Sequence, residues 1–173
     1  MVKLAIRPYE DADREAVRNL FVRVNRELAP PAIRERFEDY IVSSLASEID
    51  RISSYYDPAR DCGFWVAWRD GILVGTFGLE PADGTMAFEL RRLYVDPQAR
   101  RLGIARVMLD RAEAICRERG RRKMVLSTSE LQSAALGLYR TAGYRLVRQE
   151  IAAHASNKTV GGGIVRFHLE KWV

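Results

Sequence analysis

The sequence predicts an α/β (α+β) fold, a three-layer domain in which strands and helices are interspersed around one central sheet. Short segments with alternating or continuous apolar residues recur along the chain and are typical of strands. Segments with apolar residues three and four positions apart lie between them and predict amphipathic helices. The 173 residues contain no recognisable linker, repeat or low-complexity tract, so we expect one domain over residues 1–173.

The first third of the chain predicts a strand followed by two helices. Alternation of polar and apolar residues indicates the strand, and helical spacing of apolar residues indicates both helices. The three segments are Val2–Ile6, a stretch from Asp11 or Asp13 to the Pro30–Pro31 pair, and Ile33–Ser54.

The middle of the chain predicts three strands joined by tight turns. Gly63–Trp68 is apolar throughout, so we expect both of its faces to be covered. Asp70-Gly71 predicts a hairpin that leads into Ile72–Leu79. Asp83-Gly84 predicts a second turn, followed by a longer strand, Thr85–Val95.

The longer strand changes its alternation partway along. Phe88 and Leu90 share one parity, whereas Leu93 and Val95 share the other. A regular strand cannot bury both pairs on one face, because side chains alternate with a period of two. One extra residue near Arg91–Arg92 would restore the register as a β-bulge, and bulges are common beside active sites. The alternative is that both faces are partly buried and no bulge exists.

The last third predicts two helices and three strands. Gly103 precedes the first helix and Gly120 ends it, as glycine commonly does. The glycines at 161–163 precede the last strand and predict a flexible hairpin loop. The remaining elements are the strand Met124–Ser127, the helix Leu131–Ala142, and the strands Tyr144–Ile151 and Ile164–Trp172.

Positive charge is concentrated in one part of the chain. The net charge is +5, and residues 91–123 carry eleven basic and four acidic residues against 17 and 19 in the other 140. Such a surplus suits a polyanionic ligand, although a solvated arginine-rich helix face explains it equally well. Nucleic acid is an unlikely partner, because Tyr94 is the only aromatic residue in the segment and no nucleic-acid motif accompanies it.

The remaining composition predicts a cytoplasmic protein without a membrane partner. The start of the chain does not resemble a signal peptide, and no run approaches the ~18 apolar residues that span a bilayer. Cys62 and Cys116 form no spaced motif and indicate free thiols in a reducing compartment or buried small hydrophobes. His154 and His168 have no second ligand at a suitable spacing, so we expect no metal site.

The segment Leu93–Ala105 combines a strand, a short loop, a glycine and a helix start. Backbone N–H groups at a helix start lack partners and, with the helix dipole, form an anion site. The small residues Gly103 and Ala105 let a phosphate approach the backbone closely. Positive charge around the turn comes from Arg100, Arg101 and Arg106. The segment lacks both the Walker motif and the dinucleotide fingerprint.

This segment resembles a known family. Arg100-x-x-Gly103-x-Ala105 is similar to the Q/R-x-x-G-x-G/A motif of the GNAT superfamily of N-acetyltransferases. Glu89–Pro97 resembles the family's fourth strand, which bears a bulge, and Gln132–Tyr144 resembles its N-x-x-A-x-x-L-Y-x-x-x-G-F/Y helix. The resemblance covers about residues 2–150. It implies a single GNAT-type domain with a mixed, mostly antiparallel sheet of about seven strands and about four helices.

The resemblance also implies acetyl-CoA as co-substrate. Backbone amides at the helix start would hold the pyrophosphate of the cofactor. They belong to Arg101, Leu102, Gly103, Ile104, Ala105 and Arg106, with Arg100 beside them. Val95 would pair its backbone with the pantetheine arm. The Leu93 amide would bind the acetyl carbonyl. Gln132 stands where the family usually has asparagine, and a side-chain contact to the cofactor is implied there.

Two side chains match catalytic positions of the family. Tyr139 matches the general acid that protonates the leaving thiolate, and its alternative role is a core aromatic. Glu89 lies four residues before Leu93, where some members carry the general base, whereas others use other residues or ordered waters. The alternative for Glu89 is a surface carboxylate paired with Arg91 or Arg92.

Function follows from the resemblance as an expectation. We expect an N-acetyltransferase that transfers acetyl from acetyl-CoA to a primary amine of a small molecule or protein. The alternatives are a non-catalytic acyl-CoA sensor and a nucleic-acid-binding protein, and a homodimer stays open. Residues 33–61 carry a net charge of −3, which slightly favours a cationic amine, although solvated helix faces explain it as well. Aromatic residues that could line an apolar pocket are Tyr55, Tyr56, Trp65, Trp68 and Tyr94, with core packing favoured for both tryptophans.

Overall fold

The computed structural model describes residues 3–82 and 86–173. Within them, seven strands form one sheet in the order β1-β2-β3-β4-β5-β7-β6. The strands are β1 (Leu4–Pro8), β2 (Gly63–Arg69), β3 (Ile72–Ala82), β4 (Ala87–Val95), β5 (Lys123–Ser129), β6 (Arg145–Ala152) and β7 (Ile164–Trp172). Only β4 and β5 pair in parallel, and the other neighbours are antiparallel. The predicted mixed, mostly antiparallel sheet is confirmed.

Helices cover both faces of this sheet. Short 3₁₀ turns occupy residues 11–13, 31–33, 49–51, 58–60 and 97–99. The α-helices are α1 (Arg14–Leu28), α2 (Arg34–Ser47), α3 (Ile52–Tyr55), α4 (Ile104–Glu118) and α5 (Ser133–Thr141). Buried residues of α1 and α2 pack in one core and those of α4 and α5 in another, which confirms the three layers. No helix in the described ranges has the length and apolar character needed to cross a membrane.

The β2 strand shows how one sheet serves two cores. Phe64 and Val66 pack in the core that contains α1 and α2. Trp65 and Ala67 point the other way, into the core that contains α4 and α5. Both faces are therefore covered, as its continuous apolar sequence predicts.

The predicted second helix, Ile33–Ser54, is wrong in its length. α2 ends at Ser47, and a 3₁₀ turn and the single turn of α3 follow. Glu48 leaves the helical conformation with φ −140° and ψ −61°, and its fully buried carboxylate binds Arg91 and Arg92. Helical spacing of apolar residues continues past Glu48, so this break has no signal in the pattern.

A few predicted boundaries fall where the structure gives no description. Val2, the turn at Asp83-Gly84 and Thr85 lie outside the described residues. The described parts of those strands begin at Leu4 and Ala87.

The predicted bulge in β4 is confirmed. Arg91 lies opposite Gly78 and Tyr94 opposite Thr76, so two residues of β4 face one residue of β3. Arg92, the first of these two, has a φ of +54°. The four residues with conflicting parity all pack with the α4–α5 core, as the bulge requires: Phe88, Leu90, Leu93 and Val95.

The sheet opens between its two parallel strands. β4 and β5 pair from Ala87↔Lys123 to Leu90↔Leu126. Beyond Leu90, β4 continues to Val95 and β5 to Ser129, with no further pairing between the two among the described residues. α4 follows β4 and α5 follows β5, so both helix starts lie on the side where the strands part.

Candidate active site

A cleft lies where β4 and β5 separate. Its walls come from α1, α2, β4, β5, α5 with the residues just before it, the loop between β6 and β7, and the start of β7. Four of the predicted site residues line it together: Glu89, Leu93, Gln132 and Tyr139. One cleft therefore contains the residues to which the roles of general base, general acid and oxyanion donor were assigned.

Tyr139 faces the cleft from α5 and is 6% exposed. Its ring meets that of Tyr144 edge-on, with centroids 5.7 Å apart, and both rings belong to the α4–α5 core. Burial raises the pKa of Tyr139, and the neighbouring Tyr94 adds to this effect. The phenol therefore keeps its proton at neutral pH and can donate it. Its two predicted roles, core aromatic and proton donor, are compatible.

Glu89 is held at the cleft by a residue that the sequence did not indicate. The Lys158 Nζ donates to Oε1 and Oε2 of Glu89 at 2.8 and 2.6 Å. The alternative in which Glu89 pairs with Arg91 or Arg92 is wrong, because those guanidinium groups bind Glu48. The Glu89 side chain is 19% exposed, so solvent or a ligand can still reach it.

A buried ion cluster supports the bulge. Glu48 accepts from Arg91 Nη2 and Arg92 Nε, each at 3.0 Å, and from the Tyr56 hydroxyl at 2.5 Å. Arg92 Nη1 also donates to the Tyr40 hydroxyl at 2.6 Å. Burial alone would raise the pKa of Glu48, but hydrogen bonds and charge from Arg92, with the charge of Arg91, hold this pKa below its usual value. The cluster fixes the conformation of β4 beside Leu93.

This cluster corrects the interpretation of the positive segment. Arg91 and Arg92 contribute to the surplus of residues 91–123, yet both are buried and paired with Glu48. Arg91 also pairs with Glu80. Their positive charge is neutralised inside the protein, so less of the positive charge of residues 91–123 is available to bind an external polyanion.

The turn before α4 is open to a ligand. Gly103 caps the helix with φ +75°, and a Cβ built there would meet no described atom within 4 Å. The first helical hydrogen bond runs from Val107 N to Gly103 O at 3.1 Å. The amides of Ile104, Ala105 and Arg106 precede that bond, so they have no acceptor inside the helix. Three adjacent donors beside an unobstructed glycine fit a phosphate group.

Three arginines surround this turn. Arg100 pairs with Glu27 at 2.6 Å and Arg106 with Asp110 at 2.9 Å. These pairs are exposed and contribute little to stability, so either arginine can turn to a bound anion. Arg101 is exposed and adopts φ +63°, and Leu102 beside it is also exposed.

The backbone of β4 presents Val95 to the opening. The Asp96 amide donates to Val74 O at 2.9 Å, which places it on the β3 side. Because backbone groups alternate sides along a strand, the N–H and C=O of Val95 point to the opposite edge. Leu93, two residues earlier, presents its amide on that same edge. Both groups face the space in which an extended ligand would lie.

Gln132 stands at the N-cap of α5 and lines the cleft. Its Oε1 lies 3.2 Å from Thr128 Oγ1 and 3.4 Å from Ser129 N, both at the end of β5. The side chain therefore joins the start of α5 to the strand edge that forms one side of the opening.

The acidic residues that favoured a cationic acceptor lie away from the described lining of the cleft. Glu48 is neutralised by arginines, and other carboxylates of residues 33–61 pair elsewhere, as Glu38 does with Arg26. None of the seven acidic residues of that range is among the described residues that line the cleft. The charged side chains that line it are Glu89, Arg91, Arg92, Lys158 and Arg166. Arg91 and Arg92 are paired with Glu48 and Lys158 with Glu89, which leaves Arg166, with its longer 3.4 Å contact to Glu150, as the basic group of the lining with the weakest partner.

Arg166 is the second residue that the sequence did not single out. It is 8% exposed, donates to Ser127 Oγ, and reaches Glu150 Oε1 at 3.4 Å. Burial lowers its pKa, and the charges of Glu150 and Glu89 oppose that effect. Lys158 and Arg166 lie around the glycines at 161–163, and that loop with basic residues on both sides was the available signal.

Most aromatic candidates lie in the cores. Of the five named from the sequence, Tyr94 alone is among the described residues that line the cleft, and burial raises its pKa to about 12. Trp65 stacks on Phe77 in the core, as expected. His168 of β7 has its Nε2 2.9 Å from Oε1 of Glu150 in β6, and it is not among the described residues that line the cleft.

Comparison with known proteins finds a family model and relatives that this chain resembles. The family model described as acetyltransferase (GNAT) family matches residues 16–144. Human N-acetyltransferase 8 is 28% identical over 120 residues, which are 67% of this chain and 53% of that protein. N-acetyltransferase 8 of Rattus norvegicus is 33% identical over 113 residues, covering 63% and 51%. The chain thus spans about half the length of these relatives.

Solved structures show the same fold over nearly the whole chain. The PaiA N-acetyltransferase from Thermoplasma acidophilum, determined in complex with coenzyme A, matches with a TM-score of 0.73 and 22% identity over 99% of each chain. YncA from Salmonella typhimurium, determined with its cofactor acetyl-CoA, matches with a TM-score of 0.72 and 19% identity, covering 98% of this chain and 93% of that one.

Proposed function

The chain belongs to the GNAT acetyltransferase family, and on this premise we propose that it transfers an acetyl group from acetyl-CoA to a primary amine of a small molecule or protein. One observation carries the proposal. Glu89, Leu93 and Tyr139 line a single cleft at the point where β4 and β5 separate. A non-catalytic acyl-CoA sensor would need the cofactor turn alone, without these side chains around it.

The chain offers a continuous surface for acetyl-CoA. The amides of Ile104, Ala105 and Arg106, with the mobile charges of Arg100 and Arg101, would hold the pyrophosphate. The outward backbone of Val95 would pair with the pantetheine arm as an added strand would. Two of the solved neighbours contain coenzyme A or acetyl-CoA, which supports the same ligand here. Gln132 would border the arm from α5.

Three groups then divide the chemistry. The Glu89 carboxylate would accept a proton from the acceptor ammonium, directly or through one water, because only the neutral amine is nucleophilic. The Leu93 amide would donate to the carbonyl oxygen as negative charge develops on it. Tyr139 would give its proton to the departing thiolate, and its raised pKa means that the phenol carries that proton at neutral pH.

The wall of the cleft also indicates which amines it would accept. Arg166 is buried, and its charge is only partly compensated by Glu150 at 3.4 Å. A buried guanidinium without a full partner favours an incoming anion, with which it can form a charge-assisted pair. We therefore propose an acceptor that carries a carboxylate or similar anionic group close to its primary amine.

The proposal also covers the domain organisation, the cellular location and the oligomeric state of the protein. A single GNAT-type domain over residues 1–173 is supported by one sheet that all described strands share. A cytoplasmic location, predicted from composition, and a homodimer remain predictions.

The test combines binding and turnover. Calorimetry should detect acetyl-CoA binding to the purified protein, and thiol release should rise when a suitable amine is added. The screen should compare amino acids, their amides and decarboxylated amines, and peptide N-termini. Cofactor binding with no turnover across that screen would favour a sensor. Absence of binding to any acyl-CoA would contradict the enzymatic proposal.

A further inference from the structure

Lys158 places a primary amine of the protein itself in the cleft. Its Nζ lies 2.8 and 2.6 Å from the two carboxylate oxygens of Glu89. Leu93 and Tyr139 line the same cleft. An ammonium held by the proposed general base, in the cleft that the proposed oxyanion and proton donors also line, is placed where an acceptor amine would be deprotonated.

The loop between β6 and β7, which carries Lys158, is hydrogen-bonded to the arginines of the buried ion cluster. Arg92 Nη2 and Arg91 Nη2 donate to the carbonyl oxygen of Asn157 at 2.9 and 3.4 Å. The Asn157 side chain reaches the Tyr55 hydroxyl at 3.3 Å. These contacts hold the backbone next to Lys158, so its position in the cleft is built into the fold.

The other lysines provide an internal comparison. The sequence contains four lysines: Lys3, Lys123, Lys158 and Lys171. Lys171 donates to both oxygens of Glu113 at 2.9 and 2.8 Å, the same paired arrangement as Lys158 with Glu89. Lys171 is not among the described residues that line the cleft. Lys158 differs from Lys171 because it lines the same cleft as Leu93 and Tyr139.

We propose that Lys158 is an internal acceptor, which the enzyme acetylates on its own chain; this rests on the proposed function. Lys158 passes a proton to Glu89, and its neutral Nζ then attacks the thioester carbonyl carbon. The N–C bond forms as the C–S bond breaks. The ammonium loses two protons in all: one reaches the sulfur through Tyr139, and the other leaves Glu89 for water. The products are Nε-acetyl-Lys158 and free coenzyme A.

Acetylation changes the cleft as well as the lysine. The amide of acetyl-Lys158 has no positive charge, so its ion pair with Glu89 is lost. The Glu89 carboxylate then becomes available to the amine of an external acceptor. Lys158 thus covers the general base in the unmodified enzyme and uncovers it after one turnover.

The test uses purified full-length protein with acetyl-CoA and no added amine. Intact mass and peptide mapping should show one acetyl group, located on Lys158, at a rate per molecule that does not depend on protein concentration. Tyr139→Phe should slow it by about 10²-fold, the scale of general acid catalysis. Lys158→Arg should abolish it, with no transfer to Lys171. Equal acetylation of Lys171, no acetylation of Lys158, or a rate that rises with protein concentration would overturn the proposal.

A second measurement needs no cofactor. In Glu89→Gln, labelling of Lys158 by an N-hydroxysuccinimide acetate ester should accelerate by about two- to fivefold, the factor expected for loss of a partly exposed ion pair. Labelling of Lys171 should stay unchanged in that variant and accelerate in the matched Glu113→Gln. An unchanged rate at Lys158 would show that the ion pair is absent in solution and would overturn the inference.

The two proposals fail in different ways. If the screen finds an amine that is acetylated while Lys158 stays unmodified, the internal acceptor is wrong and the enzyme remains. If acetyl-CoA does not bind at all, both are wrong.

Discussion

Glu48 and Arg92 form a buried two-point ion pair that joins the end of α2 to the bulge of β4. Both Nε and Nη2 of Arg92 donate to the carboxylate, and the two side chains are at most 4% exposed. Arg92 is also the bulge residue with φ +54°, a conformation that costs an ordinary residue about 1–3 kcal/mol. The pair offsets that cost at the place where Leu93 presents its amide to the cleft.

We expect Glu48→Gln to lower both stability and turnover. Removal of the Glu48 charge leaves the buried Arg92 without a carboxylate partner and Arg91 with Glu80 alone, which costs about 3–5 kcal/mol. Denaturant unfolding should show this loss, and kcat should fall because the bulge relaxes. The matched control is Glu113→Gln, which breaks a partly buried pair with Lys171 away from the described lining of the cleft and should lower stability alone. A folded Glu48→Gln with the kcat of the parent would contradict the positioning role.

The same carboxylate makes stability depend on pH. The pKa of Glu48 is lowered in the folded protein, and that of an unfolded glutamate is about 4.3. Its contribution is therefore fully present above about pH 4.3 and is lost as pH falls through the folded pKa. The free energy of unfolding should drop more steeply with acid in the parent than in Glu48→Gln. A difference between the two that stays constant with pH would exclude this linkage.

The cofactor turn can be tested with two glycines on the same helix. Gly103 before α4 and Gly120 after it have φ of +75° and +70°, and neither has a neighbour that an added Cβ would meet. Gly103→Ala and Gly120→Ala should each cost about 1–2 kcal/mol of stability through backbone strain. Only Gly103→Ala should also weaken acetyl-CoA binding by calorimetry, by about tenfold. Equal affinities in the two variants would place the pyrophosphate elsewhere.

Tyr139→Phe should reduce kcat by about 10²-fold, because it removes one general acid and leaves the ring in place. Affinity for acetyl-CoA should change little. Tyr144→Phe is the control, since its ring touches that of Tyr139 but it is not among the described residues of the cleft. Because burial raises the pKa of Tyr139, the rate of the parent should show no loss from its deprotonation near neutral pH. Equal effects of the two substitutions would remove Tyr139 from the mechanism.

Arg166→Met should discriminate between acceptors. For an amine with a carboxylate, kcat/KM should fall by about 10- to 100-fold, the value of hydrogen bonds to a charged group. For the corresponding amide it should remain within about twofold of the parent, a change of less than about 0.5 kcal/mol. A parallel loss for both kinds of amine would indicate that Arg166 acts on the fold.

The sequence predicts those features that depend on neighbouring residues. The bulge follows from the parity of Phe88 and Leu90 against Leu93 and Val95, since local alternation fixes which face a side chain takes. Gly103 before an amphipathic helix likewise predicts the open turn. Both signals lie within a few residues of the feature itself, so no tertiary information is needed.

Features made by distant partners could not be predicted in the same way. Nothing near Glu48 indicates Arg92, which lies 44 positions away, so the helix was expected to continue. Lys158 and Glu89 are separated by 69 positions, and only the packing of the loop between β6 and β7 brings them together. The charge of residues 91–123 was counted correctly, but burial of Arg91 and Arg92 decides where it acts.

Among the described residues, four pairs, Ala87↔Lys123 to Leu90↔Leu126, join the half of the sheet formed by β1–β4 to the half formed by β5–β7. Because this pairing is short, we expect the sheet to bend most easily between β4 and β5. Beyond Leu90 and Leu126 the facing edges of these strands are not paired with each other, so a bound ligand can hydrogen-bond to both. A ligand bound between β4 and β5 would therefore hold the two halves of the sheet together. With that ligand bound, the protein should be less flexible, and both halves of the sheet should unfold in one transition at a higher melting temperature.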